Sequence, residues 1–427
     1  MEIKLVPDTT LWYGINVKER LRIREKKGYG VSMAVSDGED QEIYCAGSGR
    51  YGQDFPVTPD MLFQAGSVSK PVFALTLLRF ADKGLIDIDA DISGVIPEYT
   101  KIPMTFSALL SHTAGFNLHG FPGYRADHAP FRLEDVLDGK GKTPKLRRIR
   151  PCGKQYMYSG GGITLAELAF TRITGLTLRE AFQKEVAEPL GLTRTGFFQP
   201  LDEDLADNAA FGGRLGLKED AARGWHYYPE HAAAGLWSTP TELVKIGLVL
   251  SKSYREGGLL KQETARRMLT PVMDNYGLCV HRFRGDIGYH DGWNEGFLTT
   301  WMFSLRENLS VAVMFNRSTE EMDWKQSYIA IELFQTVEEA MAGEEDRADW
   351  ASYCGRYEQL YEDFRLDEVF MKDGKLYAKY IDEEDGVKTS QLYPIGEKTF
   401  GRKGGFTRLT FGENCLTIND QATCRKL

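Results

Sequence analysis

The alternation of apolar and polar positions divides the chain into recognisable stretches. Residues 29–35 and 41–46 read as strands, joined by the turn Ser36-Asp37-Gly38-Glu39-Asp40. Over residues 68–83 the pattern changes: Val72, Phe73, Leu77 and Phe80 recur at helical spacing, with Pro71 in the first turn and Gly84 as the stop. Turn-rich and helical stretches then alternate from about residue 85 to 270 (164–174, 178–187, 241–250), as in a largely helical insertion. Three further strands are predicted at 276–284, 297–305 and 309–316, the last two linked by Arg306-Glu307-Asn308. A helix over 320–341 carries Ile329, Leu333, Val337 and Met341 on one face and is expected to cover that sheet. From Tyr353 onward, about eight short strand-like runs with turns such as Asp373-Gly374 and Gly404-Gly405 predict a small closed antiparallel barrel. The acidic stretch at 343–349 reads as the linker before it. The fold predicted is α/β (α+β): a five-stranded antiparallel sheet flanked by helices with a helical subdomain in residues 1–342, and an antiparallel β-barrel in 350–427.

Composition narrows the function. A chain of 427 residues with 42% hydrophobic and 26% charged residues folds, and exceeds what one core usually supports. Its net charge of −9 speaks against nucleic acid or an anionic membrane as the main partner, because phosphate binding needs a basic surface. No run of about 18 apolar residues occurs, so no membrane span is expected. The opening Met-Glu-Ile-Lys-Leu-Val-Pro lacks a basic start followed by an apolar stretch. A cytoplasmic protein is the default expectation, or a periplasmic or secreted one if a leader has been removed. Cys45, Cys152, Cys279, Cys354, Cys415 and Cys424 form no CxxC pair, which points to reduced thiols and to neither a metal nor a cofactor.

Chemistry concentrates in three places. Ser67-Val68-Ser69-Lys70 is the only SxxK, at the point where a loop enters a helix. Residues three apart share a helix face, so the Lys70 amine reaches the Ser67 hydroxyl, and the first-turn N–H groups favour a negative oxygen there. A serine hydroxyl reacts only when a base takes its proton, and lysine serves only with a depressed pKa. The bland alternative is a capping serine followed by a surface lysine. Tyr158-Ser159-Gly160-Gly161-Gly162 presents a phenol on a tight turn, fit to relay a proton or simply to fill the core. His290-Asp291-Gly292-Trp293-Asn294-Glu295-Gly296-Phe297 leads into a strand, with Gly292 allowing close backbone approach; read alone, it is a polar hairpin. Gly47-Ser48-Gly49-Arg50-Tyr51-Gly52 matches GxGxxG formally, but Pro56 and Pro59 follow where a helix is required, so no dinucleotide site is inferred.

The order SxxK, Tyr-Ser-Gly, His-Asp-Gly resembles the serine β-lactamase and penicillin-binding protein superfamily, especially its class C-like branch of esterases and D-aminopeptidases. Leu109-Leu110-Ser111-His112-Thr113-Ala114-Gly115, Pro189-Leu190-Gly191-Leu192 and Ala234-Gly235-Leu236-Trp237-Ser238-Thr239 are similar to further segments of that superfamily, and the first of these likenesses implies that His112 is a structural hydrogen-bonding residue rather than a base. The resemblance runs from about residue 29 to 316, and the C-terminal part looks like the accessory barrel of some members. It implies a β-lactamase-like fold with Ser67 as nucleophile, Lys70 and Tyr158 as the proton-transfer pair, and His290 on the edge strand. It further implies an oxyanion hole from the backbone amides of Ser67 and Trp293, and substrate contacts at Gly160, Asp291, Gly292 and Trp293. Two departures stand out. Gly160 replaces the asparagine of the usual Tyr-x-Asn, and His290 replaces a permanent lysine cation, which fits esterases and peptidases better than β-lactamases.

The expected function is therefore hydrolysis of an amide, peptide or ester of a small molecule or short peptide through an acyl-enzyme on Ser67. A β-lactamase or D-alanyl-D-alanine carboxypeptidase, and a non-catalytic binding protein on the same fold, are the competing readings. No protein partner is indicated.

Overall fold

The computed structural model describes residues 3–6, 30–50, 53–125, 132–212, 224–317, 323–342, 348–359, 365–382, 386–396, 398–403, 407–419 and 422–427. Tyr29, most of the linker at 343–349 and the turn at Gly404-Gly405 lie outside the described residues. The contacts divide the chain into two units: Met1–Arg282 with Gly288–Ile331, and Phe283–Ile287 with Glu332–Leu427.

The first unit is built on a seven-stranded sheet. Its strands are β1 (Ile3–Val6), β2 (Gly30–Ser36), β3 (Gln41–Gly47), β4 (His281–Phe283), β5 (Ile287–Asn294), β6 (Phe297–Ser304) and β7 (Ser310–Phe315). They stand in the order β1-β3-β2-β7-β6-β5-β4. The sheet thus has two strands more than the sequence predicted, and it is mixed, because β1 runs parallel to β3. The stretch 276–284 contributes only the three residues of β4, while the longer strand β5 follows it. Strands β2, β6 and β7 are buried throughout; their apolar residues are interrupted only by small or hydroxyl-bearing ones such as Ser32, Thr299 and Thr300, as suits strands covered on both faces.

Helix α1 (Ser69–Asp82) is buried over most of its length, and Pro71 falls in its first turn, where an N–H has no acceptor to lose. Gly84, at φ +70°, gives α1 the left-handed stop expected of it. Helix α2 (Gly160–Thr174) starts at Ser159, whose hydroxyl accepts from Gly162 N. Helix α3 (Pro240–Glu256) starts at Thr239 and packs on β2, β6 and β7, closing one face of the sheet. In helix α4 (Asp323–Ala342) Ile329, Leu333 and Val337 are buried, whereas Met341 is 39% exposed.

The second unit contains a closed eight-stranded barrel: β8 (Gly355–Gln359), β9 (Arg365–Lys372), β10 (Lys375–Asp382), β11 (Gly386–Pro394), β12 (Thr399–Arg402), β13 (Arg408–Phe411), β14 (Cys415–Ile418) and β15 (Ala422–Lys426). Each strand pairs antiparallel with the next, and β8 pairs with β15 to close the ring. Asp373 and Gly374 both have positive φ, the backbone that a two-residue hairpin turn demands. Trp350, Phe400, Phe411 and Leu416 belong to its separate core. Among the described residues no helix is long and apolar enough to cross a membrane, and no cluster of three His, Cys, Asp or Glu side chains could hold a metal. All six cysteines are free.

Candidate active site

Ser67 lies in the single turn Gly66–Val68 that leads into α1, which starts at Ser69. Gly66 sits at φ +54°, and a Cβ there would come within 2.6 Å of Trp293 N. Across the seam, a Cβ on Gly292 would lie 1.9 Å from Ala65 O and 3.1 Å from Ser67 N. Two glycines therefore let the Ser67 turn and strand β5 approach backbone to backbone, bringing the amides of Ser67 and Trp293 to one place.

Lys70, the second residue of α1, is 2% exposed; its Nζ donates to Ser67 Oγ at 2.8 Å and to Ala233 O at 2.7 Å. Burial lowers its pKa from 10.5 to about 7, against the opposing pull of Cys279 and Glu230. Tyr158, just before α2, has its ring centroid 5.0 Å from Lys70 Nζ. Burial pushes its phenol well above the usual value of 10, while a side-chain hydrogen bond with Ser67 works in the other direction. The hydroxyl, amine and phenol thus meet at the mouth of α1.

His290 is buried on β5, the second strand from the sheet edge rather than the edge itself; its neighbour β4 spans only three residues. Its Nδ1 lies 2.6 Å from Asp291 O. A carbonyl only accepts, so Nδ1 carries the proton and Nε2 is left to accept, at 3.4 Å, from Tyr276 Oη. Burial holds His290 well below its usual pKa, which makes it a neutral imidazole at pH 7. Asp291 Oδ1 accepts from Thr300 Oγ1 at 2.5 Å. Trp293 is 53% exposed, so its indole stands out while its amide faces Gly66.

A cavity of about 850 Å³ opens over these groups. Asp291, Gly292 and Trp293 line it, but Gly160 does not. A Cβ at Gly160 would meet Phe121 Cε2 at 2.8 Å and His119 O at 3.0 Å, and it is His119 and Phe121 that reach the cavity. Gly160 therefore lies behind His119 and Phe121 rather than on the cavity wall. Sequence reading also missed His281, Tyr289 and Asn294 in the lining. Their only local signal was the density of aromatic and polar residues around 281–294. Burial lowers His281 to about 4. His112 has the structural role expected of it: at φ +56° it accepts from Ser159 N at 3.2 Å and packs on the Tyr158 ring, centroids 4.4 Å apart. A buried carboxyl, Glu230, stands near Lys70 and was not singled out.

A family model described as Beta-lactamase matches residues 18–335. The chain is 26% identical to lovastatin esterase of Penicillium rubens over 297 residues, 59% of this chain and 71% of that one. It is 27% identical to esterase EstB of Burkholderia gladioli over 200 residues, 43% of this chain and 51% of that one. Among solved structures, an octameric penicillin-binding protein homologue from Pyrococcus abyssi aligns with TM-score 0.61 and 18% identity, covering 96% of this chain and 98% of its own. D-amino acid amidase from Ochrobactrum anthropi SV3 aligns with TM-score 0.62 and 19% identity, covering 73% and 94%. These two likenesses are of fold.

Proposed function

We propose that this chain, which belongs to the beta-lactamase family of serine hydrolases, cleaves an ester or amide of a small uncharged substrate through an acyl-enzyme on Ser67. The observation that carries the reading is the 2.8 Å contact between Lys70 Nζ and Ser67 Oγ inside a buried site. With the amine neutral, the same separation lets the hydroxyl give its proton to the nitrogen lone pair.

The pKa directions favour Lys70 over Tyr158 as the first base. Ionising a phenol whose pKa exceeds 10 costs more than about 4 kcal/mol at pH 7. An amine with pKa about 7 is half free at that pH. Lys70 is therefore the first base, and Tyr158, keeping its proton, hands it to the leaving group and is reprotonated through Lys70. Ser67 Oγ bonds to the carbonyl carbon, the negative charge on the carbonyl oxygen falls between the amides of Ser67 and Trp293, and the C–O or C–N bond breaks as the leaving group takes the proton. Water then repeats the sequence and releases the acid.

His290 supports the choice of substrate. A neutral imidazole stands where a β-lactamase carries a cation, so no fixed charge there rewards a substrate carboxylate, and uncharged esters and amides are favoured over β-lactams. The test is a panel of nitrophenyl esters, D-amino acid amides and nitrocefin, run with a fluorophosphonate probe on wild type and Ser67→Ala. Turnover of an ester or amide and labelling at Ser67, both lost in the variant, are expected. Labelling that persists in Ser67→Ala, or fast turnover of nitrocefin alone, refutes the proposal.

A further inference from the structure

Glu230 heads the short turn His231–Ala234, and its backbone carbonyl accepts from Ala233 N at 3.1 Å and Ala234 N at 2.9 Å. The carbonyl of Ala233 is the second acceptor of Lys70, and that of Ala234 accepts from Asn294 Nδ2 at 2.9 Å. One turn therefore ties Glu230 to the amine on α1 and to strand β5. Yet the Glu230 side chain is fully buried, and among the described residues its carboxyl meets no hydrogen-bond donor from another residue; only its own backbone N–H favours the charged form. A buried carboxyl with so little to hold its charge is costly when ionised and much less so when protonated.

The groups around the pair leave it a special position. Cys279 and the imidazoles of His112, His119 and His290 share electrostatic interactions with Lys70. Burial keeps the thiol up and His112 and His290 far down, so these stay neutral around pH 7. Glu230 in turn faces Glu167 and the phenols Tyr124, Tyr227 and Tyr228, all three of which burial raises. Glu167 is engaged elsewhere: its Oε2 accepts from Ala232 N at 2.8 Å and its Oε1 lies 3.2 Å from His231 Nδ1. Burial lifts Glu230 to about 8, into the range where Lys70 changes charge.

We infer that Glu230 is a positioning residue for Lys70: a buried carboxyl on the turn that anchors the amine, whose charge biases the balance of Lys70 between amine and ammonium. When Glu230 ionises, its charge favours the ammonium form, and the two titrate as a pair rather than singly. Removing the carboxyl charge leaves Lys70 free of that pull and lets it serve as a base at lower pH.

The inference rests on Lys70 acting as base for Ser67, and the experiment separates the two. The pH dependence of kcat/KM on a nitrophenyl ester, and of fluorophosphonate labelling, is measured for wild type and Glu230→Gln. Both proteins should be labelled at Ser67, with the acid limb of the variant moved to lower pH by about half a unit or more. Labelled proteins whose acid limbs coincide overturn the role of Glu230 while leaving the Ser67 reading intact. Absence of labelling in wild type overturns that reading itself, and with it the inference. If Glu230→Gln does not fold, Glu230→Met, apolar and of similar length, carries the same comparison.

Discussion

An amine brought near neutrality by burial changes charge within the range where most enzymes work, and that gives Lys70 a visible signature. On the proposed mechanism the free amine is the active form; its pKa is lowered to about 7, so activity is expected above that pH and is expected to be lost as pH falls through it. At pH 5 the rate should be about a hundredfold below its plateau. A pH–rate profile that stays flat between pH 5 and 8 would exclude Lys70 as the base. The Ser67–Lys70 pairing was legible in the sequence because it is local, a matter of three residues on one helix. The wall around it was not: His119, Phe121, His281 and Tyr289 reach the cavity from separate loops and strands, and only tertiary packing brings them together. Gly160 shows the same limit from the other side. Its position in a motif was readable, but not that Phe121 and the His119 backbone stand within reach of any side chain placed there. Glu230 could have been suspected from a lone carboxylate set against Ala232, Ala233 and Ala234, all buried in the fold.

At the scale of elements, strand β5 holds the most chemistry and was the least legible. Its exposed and half-buried face carries Tyr289, Asp291 and Trp293, while His290, Gly292 and Asn294 are buried, so polar residues occupy both faces and no apolar alternation marks it. Its neighbour β6, and β7 beyond it, are predominantly apolar and were placed within a residue or two at each end. What fixes β5 against the Ser67 turn is the absence of a side chain at Gly292. Gly292→Ala should force the strand away from Ala65 and Ser67, since the atoms it meets are backbone and cannot swing aside. The expected result is a loss of kcat of about 10²–10³, the scale of one misplaced oxyanion donor, and about 1–3 kcal/mol of stability. Steady-state kinetics beside thermal unfolding measures both; unchanged kcat would mean that the seam does not shape the reaction.

For the whole molecule, composition and strand counts carried the architecture further than the details. A helical region inserted between early and late strands, followed by a closed barrel, was readable from period and turn spacing. The sheet has seven strands rather than five because β1 is a four-residue segment and β5 lacks an apolar pattern, and neither gives a signal of its own. In the second unit, Arg408 illustrates what spacing cannot reveal: it is buried with Nη2 2.7 Å from Glu338 Oε1 and Nε 2.8 Å from Asp286 Oδ1, partners about 70 and 120 positions away.

Ring closure makes the final residues matter more than their number suggests. Strand β15 is hydrogen-bonded on one side to β14 and on the other to β8, so a stop codon placed before Ala422 would bare two unprotected strand margins together. Such a shortened chain is expected to self-associate, eluting from a sizing column ahead of the intact protein. If it elutes where the intact protein does, the ring is held by its core alone and the seam is dispensable.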